Sequence, residues 1–263
     1  MRPPRRAPLS ELRRRAESLD SEAALRRFAR MLEDDPRAGA RALGVRCRRR
    51  GKQRGRERRH WNRLFALRAE LAGLGARRIA GVDEVGVGPL AGPVVAAAVV
   101  LPDRPQLPGL DDSKRVLPSA RERLARAIRE QALSVSIAEV WPEEIDRLNI
   151  YHAALEAMRL AVVGIDPEPD HVLVDARTIP SICTPQTSLV HGDARDGSIA
   201  AASIVAKVHR DAIMGRLDRE YPGYGFARHM GYATREHRAA LRRRGPCPIH
   251  RRSFSPVSQL ALF

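Results

Sequence analysis

Residues 79–101 read IAGVDEVGVGPLAGPVVAAAVVL, two apolar runs separated by a glycine-rich turn. Both runs, 79–82 and 94–101, are short and rich in β-branched residues, so we predict two antiparallel strands that enter a core. Two carboxylates, Asp83 and Glu84, end the first run. A carboxylate beside so many apolar residues is costly unless it has a partner, so this position calls for a chemical explanation.

The chain that follows alternates between helical and strand patterns. Apolar runs at 133–140 and 171–174 predict two more strands, and the stretches 119–131, 142–163 and 198–217 have helical patterns. Such an order predicts an α/β or α+β domain with a mixed sheet. Asp175 ends the run at 171–174. Two predicted strands therefore end in acidic residues.

Carboxylates at the ends of two strands predict a site for a hard divalent cation. Magnesium takes few protein ligands, prefers oxygen and keeps several waters. Because adjacent strand residues point to opposite faces, we expect Asp83 and Glu84 to converge only if the strand bends or bulges there. Taken singly, each acid is also compatible with a capping or turn role. For the set, the cost of unpaired carboxylates favours the metal site.

The net charge of +16 is concentrated in the first quarter of the chain. Residues 1–75 hold 22 lysines and arginines against nine acidic residues. This excess, mostly arginine, predicts a polyanionic partner. Residues 9–28 have loosely helical spacing, with Ser10 and Ser21 as candidate caps. Residues 46–60 carry eight arginines and one lysine, and they form either a solvated linker or an arm that tracks phosphates; the charge favours the arm.

Composition limits the remaining possibilities. The three cysteines include no Cys-x-x-Cys, which argues against a disulfide framework or a four-cysteine zinc site and fits a reducing compartment. No apolar run has the length of a membrane span, and the N-terminus lacks the features of a secretory signal. We therefore predict a cytoplasmic protein with no membrane partner.

Several long stretches of the sequence resemble ribonuclease HII, the type 2 ribonucleases H. The resemblance covers about residues 77–257, and MLEDDPRAGARAL at 31–43 is similar to an extension carried by some bacterial members. The matching stretches, in the family's order, are 79–101, LDDSK at 110–114, EIDRLNIYHAALEAM at 144–158, VLVDA at 172–176, GD at 192–193, SIAAASIVAKVHRD at 198–211, YGFARHMGYAT at 224–234 and HRRSF at 250–254.

The family implies an α/β, RNase H-like fold: a mixed five-stranded sheet flanked by helices. We add to it a small, helical, basic N-terminal extension. The predicted segments are a partly helical, nucleic-acid-binding extension at 1–76, a catalytic domain at 77–257 and a C-terminal tail at 258–263.

By motif, the resemblance implies that Asp83, Glu84 and Asp175 are the catalytic, metal-binding carboxylates. It offers Asp193 as the fourth, with Asp211 as a competing candidate. A helix that starts near residue 198 puts Asp211 about 20 Å further along at 1.5 Å per residue, so we assign Asp193 to the site. Two divalent ions, Mg²⁺ or Mn²⁺, are expected to bracket the scissile phosphate in an in-line displacement that leaves a 5′-phosphate and a 3′-hydroxyl.

The implied substrates are RNA–DNA hybrids and duplex DNA with embedded ribonucleotides. Telling RNA from DNA requires a contact to the 2′-hydroxyl. The resemblance places this contact at Gly86-Val87-Gly88 and at Tyr232, whose ring would stack on a sugar. The family generally has arginine where this chain has Val87, and often lysine where it has Met230.

These departures leave a second hypothesis open: a nucleic-acid-binding protein with weak or altered-specificity nuclease activity. Lys114 and Lys207 are predicted phosphate contacts, with ordinary surface lysines as the alternative.

The last five residues resemble the short peptide with which bacterial replication and repair proteins dock on the DNA sliding clamp. Pro256 and Ser258 indicate an extended tail, and the alternative is a strand or helix end packed on the core. The apolar anchors would be accompanied by a polar rim contact. The residues predicted to dock are Gln259, Leu260, Leu262 and Phe263. We expect a monomeric enzyme of DNA replication and repair.

Overall fold

The computed structural model describes residues 7–259, and the chain forms two compact units, Met1–Arg63 and Leu64–Phe263. The sequence predicts the boundary further along, between residues 76 and 77. The difference arises because residues 64–76 belong to the larger core: Leu67 and Leu71 pack against a cluster that contains the buried Ile79.

The first unit is helical. Its helices are α1 (Leu9–Ser18), α2 (Glu22–Met31) and α3 (Ala38–Leu64). Ser21 caps α2 as predicted, since its Oγ accepts a hydrogen bond from the Ala24 amide at 3.1 Å. The predicted cap at Ser10 is wrong: this residue lies inside α1, whose N-cap is Pro8.

The arginine-rich residues 46–60 form part of the 27-residue helix α3 rather than an irregular linker. Glycines on this helix allow α2 to approach closely. A Cβ at Gly51 would lie 3.2 Å from the Cβ of Leu25, and one at Gly55 would overlap the Glu22 carboxylate at 2.1 Å. The charged helix is thus anchored by a buried stripe that includes Leu43 and Cys47.

The second unit is built on a five-stranded sheet in the order β3-β2-β1-β4-β5. β1 pairs antiparallel with β2 and parallel with β4, β2 pairs antiparallel with β3, and β4 pairs parallel with β5. The strands are β1 (Ile79–Val85), β2 (Val94–Val100), β3 (Ser134–Val140), β4 (His171–Asp175) and β5 (Gln186–Leu189). The helices of this unit are α4 (Ala66–Gly73), α5 (Pro118–Gln131), α6 (Pro142–Leu148), α7 (Ile150–Val163), α8 (Gly197–Glu220), α9 (Phe226–His229), α10 (Arg235–Arg244) and α11 (Ser255–Ser258), with one 3-10 turn at Gly192–Ala194.

Helices cover both faces of the sheet. On one face, Val82 and Val174 pack in a core cluster with Met158 of α7. On the other face, α8 lies so close to β1 that a Cβ at Gly81 would come within 2.0 Å of the Ser198 carbonyl carbon. This mixed five-stranded sheet between helices confirms the predicted fold class.

The predicted helical region 142–163 is divided in two. Asn149 lies between α6 and α7 with a positive φ of 67°, and its side chain accepts hydrogen bonds from the amides of Tyr151 and His152. An asparagine tolerates this conformation and caps the new helix at the same time.

At the C-terminus, residues 255–258 form the short helix α11 instead of the predicted extended tail. The reason is burial: Val257 is fully buried in a cluster with Leu90 and Leu241. Gln259 is exposed, and its Nε2 donates to the Ser255 Oγ at 3.2 Å. Leu260, Leu262 and Phe263 lie outside the described residues. Within residues 7–259, no helix has the length and apolar character needed to cross a bilayer.

Candidate active site

Three of the four predicted carboxylates lie on the face of the sheet that α8 covers. β1 and β4 are parallel neighbours with Gly81 opposite Leu173, so Asp83 and Asp175, two residues further on, continue the same face at the same edge. Asp193 lies in the 3-10 turn just before α8 begins. The tight contact of α8 on Gly81 brings this turn to the ends of the two strands.

Glu84 reaches the site from the other face. The pairing of β1 with β2 runs without interruption from Ala80 to Val85, so the bend or bulge expected at Asp83 and Glu84 is absent from this ladder. Pairing with β4 ends at Val82, which leaves the end of β1 open on that side. Glu84 therefore lies at the open strand end, where the charge of Asp175 repels its carboxylate.

Hydrogen bonds fix the carboxylates in place. The Glu84 amide donates to the Asp83 Oδ1 at 2.8 Å, and the Gly192 amide donates to the Asp175 Oδ1 at 2.6 Å. Lys114, whose side chain is 83% exposed, holds its Nζ 3.5 Å from the Asp193 Oδ2. An exposed ammonium thus lies at the rim of a buried acidic set.

Burial raises the pKa values of Asp83, Glu84 and Asp193. Loss of water raises the pKa of Asp83 well above its usual value, and the charges of Glu84, Asp175 and Asp193 raise it further, against a lowering hydrogen bond from Ser203. Burial also raises the pKa of Glu84, opposed by Arg177. Burial and then the charge of Asp112 raise the pKa of Asp193, and Lys114 opposes this.

The donor chemistry of the set fits a divalent cation. All four groups are hard oxygen donors, and the Glu84 Oε2 is buried without a hydrogen-bond partner. Carboxylates that raise one another's pKa gain from a shared cation, because it removes the repulsion. Among residues 7–259, no three His, Cys, Asp or Glu side chains form a ready-made metal centre. The set thus offers oxygen donors from two faces of the sheet rather than a closed cage.

The sequence analysis missed two polar residues of this site. Arg177 holds its Nη2 3.5 Å from the Glu84 Oε1, stacks over the ring of Tyr151 at 5.2 Å, and leaves its buried Nη1 without a partner. Its position two residues after Asp175 is the signal that could have identified Arg177 from the sequence. Ser203, on α8, hydrogen-bonds Asp83, and nothing in the alanine-rich stretch around it marked that contact.

The glycine-rich turn lies beside Tyr232. Gly86 is buried with a φ of 89°, Val87 is half-buried and Gly88 is exposed. A Cβ at Gly88 would lie 3.7 Å from the Cε1 of Tyr232, whose ring is 44% exposed. The structure therefore brings the two predicted substrate contacts together. Met230 has a positive φ of 51° and is half-buried.

Two residues of α8 are engaged with one another away from the acidic set. The Nζ of Lys207 donates to the Asp211 Oδ1 at 2.5 Å, and Arg121 lies 3.7 Å from the other oxygen. Asp211, the competing candidate for the fourth acid, is thus an ion-pair partner of Lys207 and Arg121.

Comparisons with known proteins identify the family of this chain. The family model for ribonuclease HII matches residues 80–257. A ribonuclease HII of Myxococcus xanthus is 53% identical over 229 residues, which cover 87% of this chain and 78% of the relative. This match is longer than the family-model match, so it includes part of the chain outside residues 80–257.

The chain is also similar to solved structures of ribonucleases H of this type. The ribonuclease H2 of Pyrococcus horikoshii has a TM-score of 0.60 and 26% identity, and the match covers 70% of this chain and 96% of that one. A structure of the PCNA:RNase HII complex from Archaeoglobus fulgidus has a TM-score of 0.58 and 28% identity, with coverage of 67% and 95%. The chain belongs to the ribonuclease HII family, and it is a ribonuclease H, an endonuclease that hydrolyses phosphodiester bonds.

Proposed function

We propose that this enzyme cleaves the RNA strand of RNA–DNA hybrids and duplex DNA at embedded ribonucleotides, in a reaction that depends on Mg²⁺ or Mn²⁺. The observation that carries the proposal is the set of four carboxylates at one edge of the sheet, of which Asp83 and Asp193 are buried and Glu84 and Asp175 are half-buried. A buried acidic set with an orphaned oxygen is costly in a stable fold and useful in a metal-dependent hydrolase.

The four carboxylates would hold two divalent cations. When bound, these cations supply Lewis acidity for an in-line displacement at phosphorus that leaves a 5′-phosphate and a 3′-hydroxyl. The chain's own residues do the positioning. Ser203 and the Glu84 amide orient Asp83, the Gly192 amide orients Asp175, and Lys114 at the rim attracts the phosphate backbone.

Substrate recognition is assigned to the turn Gly86-Val87-Gly88 and to Tyr232. The exposed Gly88 and the half-exposed ring of Tyr232 are neighbours, which supports a joint contact with a sugar that carries a 2′-hydroxyl. Lys207 is retained as a candidate phosphate contact, although its Nζ is bonded to Asp211, so it would have to leave that partner.

The first unit is proposed to add sequence-independent affinity for the duplex. Arg49, Lys52, Arg56, Arg59 and Arg63 are exposed on α3 at helical spacing. The first and last of them are 14 positions apart, or about 21 Å at 1.5 Å per residue. Such a stripe suits a row of phosphates and releases counterions on binding.

The C-terminal residues are proposed to dock on a bacterial DNA sliding clamp. Support comes from the sequence of residues 259–263 and from the Archaeoglobus relative, whose structure is a complex with PCNA. Tethering raises the effective concentration of the enzyme on newly copied DNA. Calorimetry with the intact protein and a bacterial clamp should give binding that the double change Leu262→Ala and Phe263→Ala removes. Absence of heat with the parent protein would contradict the proposal.

A cytoplasmic, monomeric enzyme of DNA replication and repair completes the proposal. The free thiols of Cys47, Cys183 and Cys247 are consistent with a reducing compartment.

Cleavage of a duplex with one embedded ribonucleotide tests the proposed function. Product mapping, with magnesium, manganese or chelator, should give one cut at the ribonucleotide with either metal and none with chelator. An all-DNA duplex is the control and should stay intact. The alternative, a nucleic-acid-binding protein with weak or altered-specificity nuclease activity, rests on Val87 and Met230. Tight binding with negligible or misplaced cleavage would favour it.

A further inference from the structure

Two arginines are fully buried beneath the glycine-rich turn without a carboxylate partner. Arg210 and Arg251 both have 0% exposure. In the described part of the chain, neither guanidinium lies within ion-pair distance of an acid, and burial lowers the pKa of Arg251 to about 9, with the charge of Arg210 as a further cause. Burying two like charges together is expensive, so the arrangement calls for a function.

Both guanidiniums donate to backbone carbonyls, and all of these except that of Met230 belong to the loop that follows β1. Arg251 donates from Nη1 to the Val87 carbonyl at 2.9 Å, from Nη2 to the Gly86 carbonyl at 2.5 Å, and from Nε to the Gly92 carbonyl at 3.1 Å. Arg210 donates to the carbonyls of Pro93, Ala91 and Met230 at 2.9 to 3.1 Å. The two buried guanidiniums thus hold the loop that follows β1 by the carbonyls of residues 86, 87 and 91–93.

The direction of these carbonyls fixes the direction of the amides. In a trans peptide the N–H points opposite to the C=O of the same unit. Because the Gly86 and Val87 carbonyls point inward to Arg251, the N–H groups of Val87 and Gly88 point outward. Among residues 7–259, neither N–H donates to a backbone or side-chain acceptor. Two successive outward amides form a small concave site for an anion or a hydroxyl oxygen.

We propose that Arg251, assisted by Arg210, is a positioning residue that holds the Gly86-Val87-Gly88 turn with two amides directed at the 2′-hydroxyl and adjoining phosphate of the substrate. The inference rests on the proposed function. It explains how a chain with Val87 between the glycines retains recognition: the contact is made by the backbone, and the guanidiniums that orient it lie underneath. The neighbouring Tyr232 ring then closes the site from the side of Gly88.

The test compares affinities for two duplexes that differ in one 2′-hydroxyl. Anisotropy is measured in chelator, in an Asp83→Asn background, with a one-ribonucleotide duplex and its all-DNA counterpart. Arg251→Lys keeps the charge but loses the guanidinium fork, so it should lower the ribonucleotide-to-DNA affinity ratio about tenfold. Arg68→Lys is the matched control. Arg68 is also a buried arginine, 5% exposed, whose Nη2 donates to a backbone carbonyl, that of Leu101. Its substitution should leave the ratio unchanged.

Each outcome decides something. An unchanged ratio in a folded Arg251→Lys protein overturns the positioning role and leaves the proposed function standing. A parent protein that binds both duplexes equally overturns the proposed recognition and this inference with it. If Arg251→Lys does not fold, amide exchange on the unsubstituted protein decides. The Val87 and Gly88 amides should exchange rapidly when free and become protected by the ribonucleotide duplex, and protection already present in the free protein would contradict the proposal.

Discussion

Burial and neighbouring carboxylates raise the pKa of Asp83 well above its usual value. Asp83 is 6% exposed and is repelled by the charges of three other carboxylates. Its ionised form therefore gains stability from a bound cation. Ser203 and the Glu84 amide fix its orientation but do not neutralise it. Because Asp83 is buried, oriented and close to other negative charges, we expect its substitution to reduce cleavage more than substitution of any other acid in the set.

Val87 offers a test of recognition at the same scale. Its side chain packs against the core cluster, while its carbonyl is held by Arg251. We predict that Val87→Arg sharpens preference for the RNA–DNA junction, because a guanidinium adds a charged contact to a turn that is already positioned. Cleavage maps of both proteins on one duplex provide the measurement. Superimposable maps would mean that Val87 is a neutral difference.

At the residue scale, the sequence indicated which acids could lie close together but not the geometry in which they meet. Asp83 and Asp175 could be predicted to share a site because each ends an apolar strand. The side of the sheet from which Glu84 acts depended on where β4 stops pairing, which no local pattern encodes. The burial of Arg210 and Arg251 was equally inaccessible, since arginine is ordinarily a surface residue.

At the scale of elements, the contact between β1 and α8 holds the site together. A Cβ at Gly81 would collide with the Ser198 backbone at 2.0 Å, and neither backbone can yield without moving the strand end that carries Asp83. We predict that Gly81→Ala lowers the free energy of unfolding by about 3 kcal/mol. Gly215→Ala on α8 is the control. With nothing within 4 Å, it should raise stability by up to about 1 kcal/mol. Urea unfolding measures both, and an undiminished stability of Gly81→Ala would contradict the packing described.

A histidine pair links the C-terminal segment to the Tyr232 loop and predicts a pH response. The Nε2 atoms of His237 and His250 are 3.1 Å apart, and the His237 Nδ1 lies 2.9 Å from the Tyr232 carbonyl. Burial lowers the pKa of His250 to about 4, with His237 and then His229 as further charge contributions. Since the folded pKa is below the unfolded value near 6.5, the stabilisation is complete above pH 6.5 and is lost as the pH falls toward 4.

Comparing unfolding free energies at pH 7.5 and pH 5 tests this response. The parent protein should lose about 2 kcal/mol more than His250→Gln over this interval, because the variant has no imidazole to protonate. The difference between the two proteins matters rather than either curve alone. Asp196 has a pKa raised by burial to about 6, so it stabilises the fold at low pH and opposes the histidine. Equal losses would contradict a buried neutral His250.

Elements were predictable where their patterns were long and missed where they were short and polar. β1, β2 and α8 have strong apolar or helical patterns and were predicted close to their observed bounds. β5, with the sequence QTSL, has no such pattern, because a short strand at the sheet edge needs little apolar surface. α11 matches the alternative to an extended tail, a helix end packed on the core, and the burial of Val257 that decides between the two is a tertiary effect.

At the scale of the whole molecule, most of the net positive charge lies in the first quarter of the chain, which is expected to bind the duplex, while the second unit is expected to cleave it. We predict that replacing Arg49, Lys52 and Arg56 with glutamine lowers the slope of log affinity against log salt by up to about 2.7, since each lost phosphate contact contributes about 0.9. Within the described chain these three side chains have no ion pair or side-chain hydrogen bond, so the change leaves the helical packing intact. Arg13, Arg14 and Arg27, which are exposed on α1 and α2, form the control set of equal charge. A slope that falls equally in both variants would contradict a specific stripe on α3.

We attribute metal-dependent cleavage at ribonucleotides to the acidic edge of the sheet. The most direct measurement is single-turnover cleavage of a one-ribonucleotide duplex by purified Asp83→Asn protein, with magnesium or manganese, alongside the affinity of the same protein for that duplex. We predict that cleavage falls at least about a thousandfold while affinity stays within about threefold of the parent, since amide for carboxylate preserves shape and removes a charged ligand. Retained turnover by the folded variant, or loss of binding in parallel with cleavage, would contradict it.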